Sequence, residues 1–454
     1  MTMLAQRFFP ALFLFACSAD PIPSGHYKIT TGQESDTLTL SPAPIAFETS
    51  SVDASGKTSV IQTSDKLMES IDVGISGSNF FLEKGEDSQG ERRVQATSYY
   101  ISSTSLAGYD VPLFLGRSDA FCRPPDAIAT AQGDHPPVGV FWGETIWMAG
   151  ASSNNQIVSE GYDLVGWKRV DAPSFLTNIS CPKLPCRFQS IANYAGRYGL
   201  AIGADWAIYA DIQLQTTQSV DPPSGISWSD VSGGRTINAT SGAVFIAGPT
   251  RSDSPSSSIV ELATDGTMKF LPLATSRQNA AVTYIDKQGL LVVGGSADGS
   301  GAEFLSETGT AFTNLPYAAD PVVGAALVPE TTGTRVWRVG GRMPSDGTPA
   351  PTLVYDFAST CTAPCAPEAL PSFNLDVTNA YGFSINGSRI VIGEQDDGTM
   401  VAWRLTDTEA IPVALREPRR SATVYSLPNG FAALIGGTLI SDSTQAKSLE
   451  LLAY

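Results

Sequence analysis

Short runs of apolar and β-branched residues recur along the chain, and seven of them end in a glycine-based couplet: Met148-Ala149-Gly150, Ala201-Ile202-Gly203, Phe245-Ile246-Ala247-Gly248, Val292-Val293-Gly294-Gly295, Arg338-Val339-Gly340-Gly341, Val391-Ile392-Gly393 and Leu434-Ile435-Gly436-Gly437. The second couplet positions are 150, 204, 248, 295, 341, 394 and 437, so successive steps are 54, 44, 47, 46, 53 and 43 residues. Self-similarity on this scale marks a repeat architecture, and the step suits a unit of four short strands. One unit makes the pattern plain. From Arg277 the chain runs through Ala280 to Tyr284, turns at Asp286-Lys287-Gln288-Gly289, and continues through Leu290 to Val293 into Gly294-Gly295. Two β-prone runs joined by a turn with glycine at its end read as a hairpin. Glu303 to Leu305 and Thr310 to Pro316 supply a third and fourth strand, and no segment shows a long helical period.

The two long steps, 54 and 53, each contain a close cysteine pair, Cys181-Pro-Lys-Leu-Pro-Cys186 and Cys361-Thr-Ala-Pro-Cys365. Both pairs are expected between the end of one unit and the start of the next, as stapled insertions. A ring this small gains about 2 kcal/mol from loop closure before strain is subtracted, so the pairs shape loops more than they stabilise the fold. Free thiols and a zinc site are the other readings, and zinc needs four ligands in a chain whose histidines are His26 and His135.

Disulfides call for an oxidising compartment, and the N-terminus points to one. Arg7 precedes an apolar run from Phe8 to Ala16, too short to span a bilayer, and Leu14-Phe15-Ala16-Cys17 stands where a signal peptide is cut. This stretch resembles the lipobox of bacterial lipoproteins, which implies a signal peptide over 1–16, acylation of Cys17 and a tether over 17–24. An ordinary secretory signal and an unprocessed start are the alternatives. Ser18 after the cysteine is the residue type that goes with outer-membrane sorting. The chain is then extracytoplasmic and touches the membrane through its anchor alone.

Composition agrees with an exported β protein: charged residues are 16% and the net charge is −17. That charge repels nucleic acid and anionic lipid surfaces. Acidic loops also raise calcium, but no Asp-x-Asp-x-Asp-Gly loop is present, and Asp396-Asp397-Gly398, Asp265-Gly266 and Asp346-Gly347 read as turns. Cys122 is left without an assigned partner.

The apolar strand with its double glycine, an arginine sixteen or seventeen residues before the first glycine (Arg187 to Gly203, Arg277 to Gly294, Arg420 to Gly436) and a downstream aromatic hairpin (Tyr162-Asp163 with Trp167; Tyr355-Asp356) resemble kelch repeats. The resemblance covers about Pro136 to Tyr454. It departs from the pattern where only three couplets are Gly-Gly, and Ala149 and Ala247 suggest that one glycine suffices. The resemblance implies an all-β fold, a seven-bladed kelch-type β-propeller, each repeat one four-stranded blade around a channel. The last unit offers three strands before the chain stops. A strand from upstream, within 109–116, is therefore expected to close the propeller, which would span 108–454. Before it, 25–107 reads as a small antiparallel β domain, with Thr37 to Leu40, Ser59 to Thr63, Ile71 to Ile75, Phe80 to Leu82 and Val94 to Tyr100 as strands; a degenerate eighth blade is the rival reading.

Catalytic chemistry is poorly supplied. Copper oxidases resembling galactose oxidase use two histidines with tyrosines, and His26 and His135 both lie outside the repeats. Histidine-dependent triads lack the same residue. The Ser-x-Asp-x-Gly-x-Thr-Trp box of sialidase-like propellers is absent, and no cofactor is implied. Paired carboxylates stay open among 45 acidic residues. Binding is the expectation: in a propeller the loops after strand two and those between blades emerge on one face. That face would carry Trp206, Arg251, Asp298, Arg342, Met343, Glu394 and Asp396, together with both cysteine hairpins. Exposed tryptophan and arginine concentrate binding energy, although loop or edge packing is the ordinary role for any one of them. Trp142, Trp147, Trp167, Trp337 and Trp403 sit in strand-like runs and are expected in the packing. The sequence thus reads as a lipid-anchored, monomeric binding module for protein or glycan, with a carbohydrate-active enzyme using acidic residues at the channel mouth as the alternative.

Overall fold

The computed structural model describes residues 24–53, 57–68, 70–74, 78–98, 101–102, 110–126, 138–142, 145–151, 157–172, 174, 181–183, 188–194, 197–211, 213–239, 241–249, 255–330, 332–385, 388–427 and 431–453. Within them the chain is all-β apart from two short 3-10 turns and Ser174. Six four-stranded antiparallel sheets follow one another from Val138–Trp142 to Ala410–Val413, each strand pairing with the next in sequence. A three-stranded sheet, Thr423–Leu427, Phe431–Ile435 and Leu449–Ala453, completes the series. These are sheets 1 to 7 below. The first strands of sheets 1 to 6 lie side by side in order, and Val138–Trp142 of sheet 1 also lies beside Thr423–Leu427 of sheet 7. The series therefore returns on itself, the arrangement of a β-propeller.

Strand character follows from period-two burial and β-branched runs. The second strands of sheets 4 and 7, Gly289–Val293 and Phe431–Ile435, are buried at every position. Between neighbouring sheets the cores are apolar, as where Ile390 and Ile392 of sheet 6 meet Val424 and Leu434 of sheet 7. Trp167 and Trp337 are buried in this packing, as expected of them.

Six of the seven couplets fall into two backbone classes; Gly203, just after the strand Tyr198–Ile202, has neither a strand position nor a positive φ. In Gly294-Gly295, Gly340-Gly341 and Gly436-Gly437 both residues have positive φ, between 65° and 87°. A Cβ on Gly295 would stand 2.4 Å from the Gln278 carbonyl oxygen, and one on Gly437 2.4 Å from that of Arg420. Gly248 and Gly393 lie instead inside strands, Val244–Pro249 and Ser388–Glu394. A second glycine is thus missing where the strand runs on, and required where the chain turns left-handed.

Two buried clamps repeat around the double glycines. Arg277, on the segment entering sheet 4, donates to the carbonyls of Gly294 (2.8 Å) and Ser300 (2.8 Å) and pairs with Glu303 at 2.9 Å, both side chains being 1% exposed or less. Glu303 also accepts the backbone N–H groups of Ala274 (2.7 Å) and Thr275 (3.2 Å). Arg419 repeats this: it donates to Gly436 (3.1 Å) and Ser448 (3.0 Å) and pairs with Glu450. Glu450 in turn accepts the N–H groups of Arg416 (2.8 Å) and Glu417 (3.2 Å). The repeat arginine of the last unit is therefore Arg419, seventeen residues before Gly436 as Arg277 is before Gly294; Arg420 is exposed.

The upstream chain closes sheet 7 differently from the expectation for 109–116. Asp110–Phe114 pairs in parallel with Ser24–Thr30, and Gly116–Arg117 pairs with Arg92–Thr97, so both belong with the amino-terminal sheets. The edge strand Leu449–Ala453 is met by Cys122, whose N–H and C=O exchange 2.8 Å hydrogen bonds with Leu451. Phe114 packs on the sheet 1 side of this seam and Phe121 on the sheet 6 side. The two aromatic anchors flank the crossing point at Cys122, six residues beyond the end of the expected strand.

The amino-terminal residues form a three-stranded sheet, in the order Ser70–Gly74, Ser24–Thr30, Asp110–Phe114, and a six-stranded one built on Ala46–Asp53 and Ser78–Glu86. The parallel pairing shows that this region is not wholly antiparallel. Thr37 to Leu40, expected as a strand, is a turn whose carbonyls at Thr37 and Leu40 accept from the fully buried Arg117 guanidinium (2.9 and 3.1 Å).

Candidate ligand face at the couplet end

Each second strand runs toward its couplet, so the loops after the couplets and the segments entering each next sheet share one end of the ring. At this end a residue with positive φ precedes the first strand, or sits at its start, in five consecutive sheets: Gly233, Asn279, Gly324, Asn379 and Ser421. Glycine and asparagine tolerate that conformation better than other residues. The turn brings side chains of sheets 4 and 6 together. Asn279 donates from Nδ2 to Asn379 Oδ1 at 3.1 Å, and Asn379 donates from Nδ2 to Glu394 Oε2 at 2.7 Å.

Beside this chain of contacts, Arg342 ties the loops of sheets 5 and 6. It is 8% exposed and pairs with Asp376 and, at 2.6 Å, with Asp396, whose side chains are 58% and 76% exposed. Deeper, Arg235 reaches across the ring from the first strand of sheet 3. It donates to the Ala380 carbonyl of sheet 6 at 2.6 Å, and its guanidinium lies 4.8 Å from the Tyr381 ring centroid. The couplet end is thus filled across its centre by a buried cation and edged by mixed charge.

Four loops after couplets carry an Asp-x-Ser/Thr sequence: Asp298-Gly299-Ser300, Asp346-Gly347-Thr348, Asp397-Gly398-Thr399 and Asp442-Ser443-Thr444. In the last three the aspartate accepts the N–H of the threonine two residues on, at 2.9 to 3.0 Å. The threonine hydrogen bonds hold these carboxyls below the usual aspartate range, the hydroxyl leading at Asp397 and the backbone N–H at Asp346 and Asp442. They are turn residues, as expected of Asp346 and Asp397, and they keep this end negative.

Of the expected face, Arg342, Glu394 and Asp396 come together, although Glu394 is buried rather than displayed. Asp298 is exposed on the loop of sheet 4, and Met343 is half-buried against the core between sheets 4 and 5. Trp206 is not displayed: it is 6% exposed, packs edge-on to Phe188 at 5.7 Å, and folds back over Gly203. A Cβ on Gly203 would lie 2.2 Å from the indole, so the glycine makes the space that buries it. Cys17, Cys186 and Arg251 lie outside the described residues.

The cysteine hairpins do not share a face. Cys181 is disulfide-bonded and packs with Trp206 near the couplet of sheet 2, where Lys183 pairs with Asp205. Cys361–Cys365, also a disulfide, lies between Leu353–Asp356 and Glu368–Ala369, the third and fourth strands of sheet 5. That connection is at the opposite end, where Phe357 donates to Thr334 at 3.0 Å beside the turn joining strands one and two. The pair falls inside its unit because the fourth strand, only two residues long, comes after it. The asparagines at 279 and 379 escaped the sequence reading; the available signal was a small or left-handed-tolerant residue before each first strand.

A cleft of about 630 Å³ lies at the seam, lined by Gln33, Arg123, Asp126, Glu417 and residues of 439–448. Its carboxylate Glu417 serves the fold. Arg123 pairs with Glu34 (2.6 Å) and Glu417 (2.8 Å), and Glu450 behind them, its carboxyl pushed up by burial, belongs to the repeated clamp. Among the described residues no helix is long and apolar enough to cross a membrane.

No protein-family model and no curated protein matches the chain. Among solved structures it is similar to a chain of the crystal structure of a mitotic checkpoint complex, at 9% identity and a TM-score of 0.44, over 74% of this chain and 95% of that one.

Proposed function

We propose that the chain is a seven-bladed propeller of kelch type, preceded by an amino-terminal β region, that works as a monomeric, non-catalytic binding module for a protein or glycan. In this reading Cys17 carries a lipid that holds it outside the cytoplasm, at the outer membrane or cell surface. The couplet end is the working face. The observation that carries the reading is the Arg342 junction: one buried guanidinium joins Asp376 and Asp396, so that loops of neighbouring sheets present one fixed, mixed-charge surface. Rigid, pre-organised polar groups around a buried arginine suit recognition. Arg235 occupies the centre with hydrogen-bonded, structural contacts. The carboxylates Glu303 and Glu450 are each locked by an arginine and two backbone N–H groups, which speaks for an architectural role over acid–base chemistry. The test is a screen of the soluble form starting at Ser18 against envelope glycans and surface extracts, read for binding and for product. Saturable binding without product is expected; steady turnover would overturn the non-catalytic reading.

A further inference from the structure

Arginines in this chain are mostly neutralised in place, as Arg93 is by Asp87 at 2.7 Å and Arg389 by Asp407 at 2.6 Å. Arg92 and Arg404 touch no carboxylate among the described residues, and the fold sets them together where the amino-terminal region meets sheet 6. Arg92, at the start of Arg92–Thr97, donates from Nη2 to Ser388 Oγ at 2.6 Å and from Nη1 to Gln95 Oε1 at 2.5 Å. Ser388 opens the second strand of sheet 6, Ser388–Glu394, and Arg404, in the third strand Met400–Leu405, stands opposite Ile390. Residues two apart share a face of a strand, so Ser388 and Arg404 are diagonal neighbours within reach of a long side chain. Burial and, after it, the charge of Arg404 hold the Arg92 guanidinium below the usual arginine range, with Glu86 offsetting part of this without touching it. Arg404 makes no hydrogen bond or ion pair among the described residues: its Nε is buried without an acceptor, while its terminal nitrogens are open to solvent. Both arginines and Ser388 are half-buried, so the junction is reached from outside. The hydrogen-bonding capacity left over is all donor: the terminal nitrogens of Arg404, the second N–H on each terminal nitrogen of Arg92, and the Ser388 hydroxyl, whose oxygen already accepts from Arg92. In a chain with 45 acidic residues and a net charge of −17, two adjoining guanidiniums without a counter-charge call for an anion from outside.

We propose that this junction binds a tetrahedral oxyanion, a phosphate or sulfate group, held by Arg92, Arg404 and the Ser388 hydroxyl. Guanidinium forks match such an ion with paired N–H groups. Its oxygens, spread in space, answer donors that come from two regions of the chain, which the two coplanar oxygens of a carboxylate do less well. The negative charge of the whole chain repels an anionic surface, which leaves a free ion or the ester group of a small molecule. The site lies at the end of sheet 6 away from its couplet, ties that sheet to the amino-terminal region when filled, and does not depend on the couplet end being the working face.

Isothermal titration of the soluble form with inorganic phosphate, sulfate and glucose 6-phosphate, against acetate and with chloride holding the ionic strength, tests it. Saturable binding of the tetrahedral ions is expected, with acetate weaker. Arg404→Met breaks no hydrogen bond among the described residues, so it is expected to fold, and to bind phosphate at least about tenfold more weakly through loss of charge-assisted hydrogen bonds. Arg335→Met makes the same change of net charge elsewhere and is expected to alter binding less than about twofold, since distant surface charges are screened. Ser388→Ala gives a second, smaller loss, and thermal melts check the folding of all three; phosphate raises the melting temperature of the parent and not that of Arg404→Met. Glucose 6-phosphate bound more tightly than phosphate assigns the site to an ester, and equal binding assigns it to the free ion. No saturable binding of any tetrahedral ion, acetate bound as tightly as phosphate, or equal affinities in Arg404→Met and Arg335→Met overturns the site.

Discussion

Replacing Arg277 by methionine removes the centre of one buried clamp and leaves the Glu303 carboxylate, at 0% side-chain exposure, without its cation. Breaking a buried pair from one side costs about 3–5 kcal/mol. The surroundings argue for the upper part of that range, because the carbonyls of Gly294 and Ser300 lose donors at 2.8 Å as well. They also predict that the double variant Arg277→Met/Glu303→Leu does not recover. An isolated ion pair can be replaced by apolar groups at little cost, but here the Gly294 and Ser300 carbonyls would stay buried and unpaired, at about 1–3 kcal/mol each, and the Ala274 and Thr275 N–H groups would lose their acceptor. Arg335 and Glu368 provide the control. Their contact is 2.6 Å, shorter than the Arg277–Glu303 distance, yet the side chains are 41% and 60% exposed, and a surface pair contributes about 0–1 kcal/mol. Urea unfolding followed by tryptophan fluorescence, with slopes compared to check that one transition is being read, measures all of these variants. The reasoning is refuted if Arg277→Met stays within about 1 kcal/mol of the parent while Arg335→Met does not, or if the double variant recovers.

Gly295→Ala forces a Cβ to 2.4 Å from a carbonyl at φ 72°, whereas Gly248→Ala meets a serine side chain at 3.0 Å inside a strand; thermal melts should show a clear loss in the first and a smaller one in the second. Burial raises the Glu83 carboxyl, against the hydrogen bond it receives from Thr49. A raised folded-state value favours the protonated form, so the penalty is absent at low pH and grows as pH rises through that value. Glu83→Gln should therefore melt higher than the parent at pH 7, with the difference closing toward pH 4.

Much of the fold was legible because burial on a pleated sheet writes itself as alternation, and because a left-handed couplet next to a carbonyl admits only glycine. The cysteine pair at 361 and 365 was misplaced for a physical reason: Glu368–Ala369 is too short to leave a period-two signature, so the fourth strand of sheet 5 could not be seen beyond the hairpin. Trp206 turned inward because Gly203 vacates the space for its ring, a relation of two residues that neither reveals alone. The seam at Cys122 depends on pairing across more than three hundred residues and on two phenylalanines facing opposite ways. Arg342 and Asp396 were legible as a face through the couplet register. Their junction was not, since its partner Asp376 follows no couplet and the Asn279–Asn379 contact joins sheets that are not neighbours in sequence.

The claim that the couplet end is the working face is tested most directly by comparing dissociation constants of a partner from the binding screen for two charge reversals. Asp396→Lys alters the Arg342 junction, and Glu307→Lys alters the exposed turn between strands three and four of sheet 4, at the other end. The account predicts at least about a tenfold weakening for Asp396→Lys, as expected for a charged contact within an interface, and less than about a twofold change for Glu307→Lys. Equal affinities in the two variants, or a loss confined to Glu307→Lys, would contradict it.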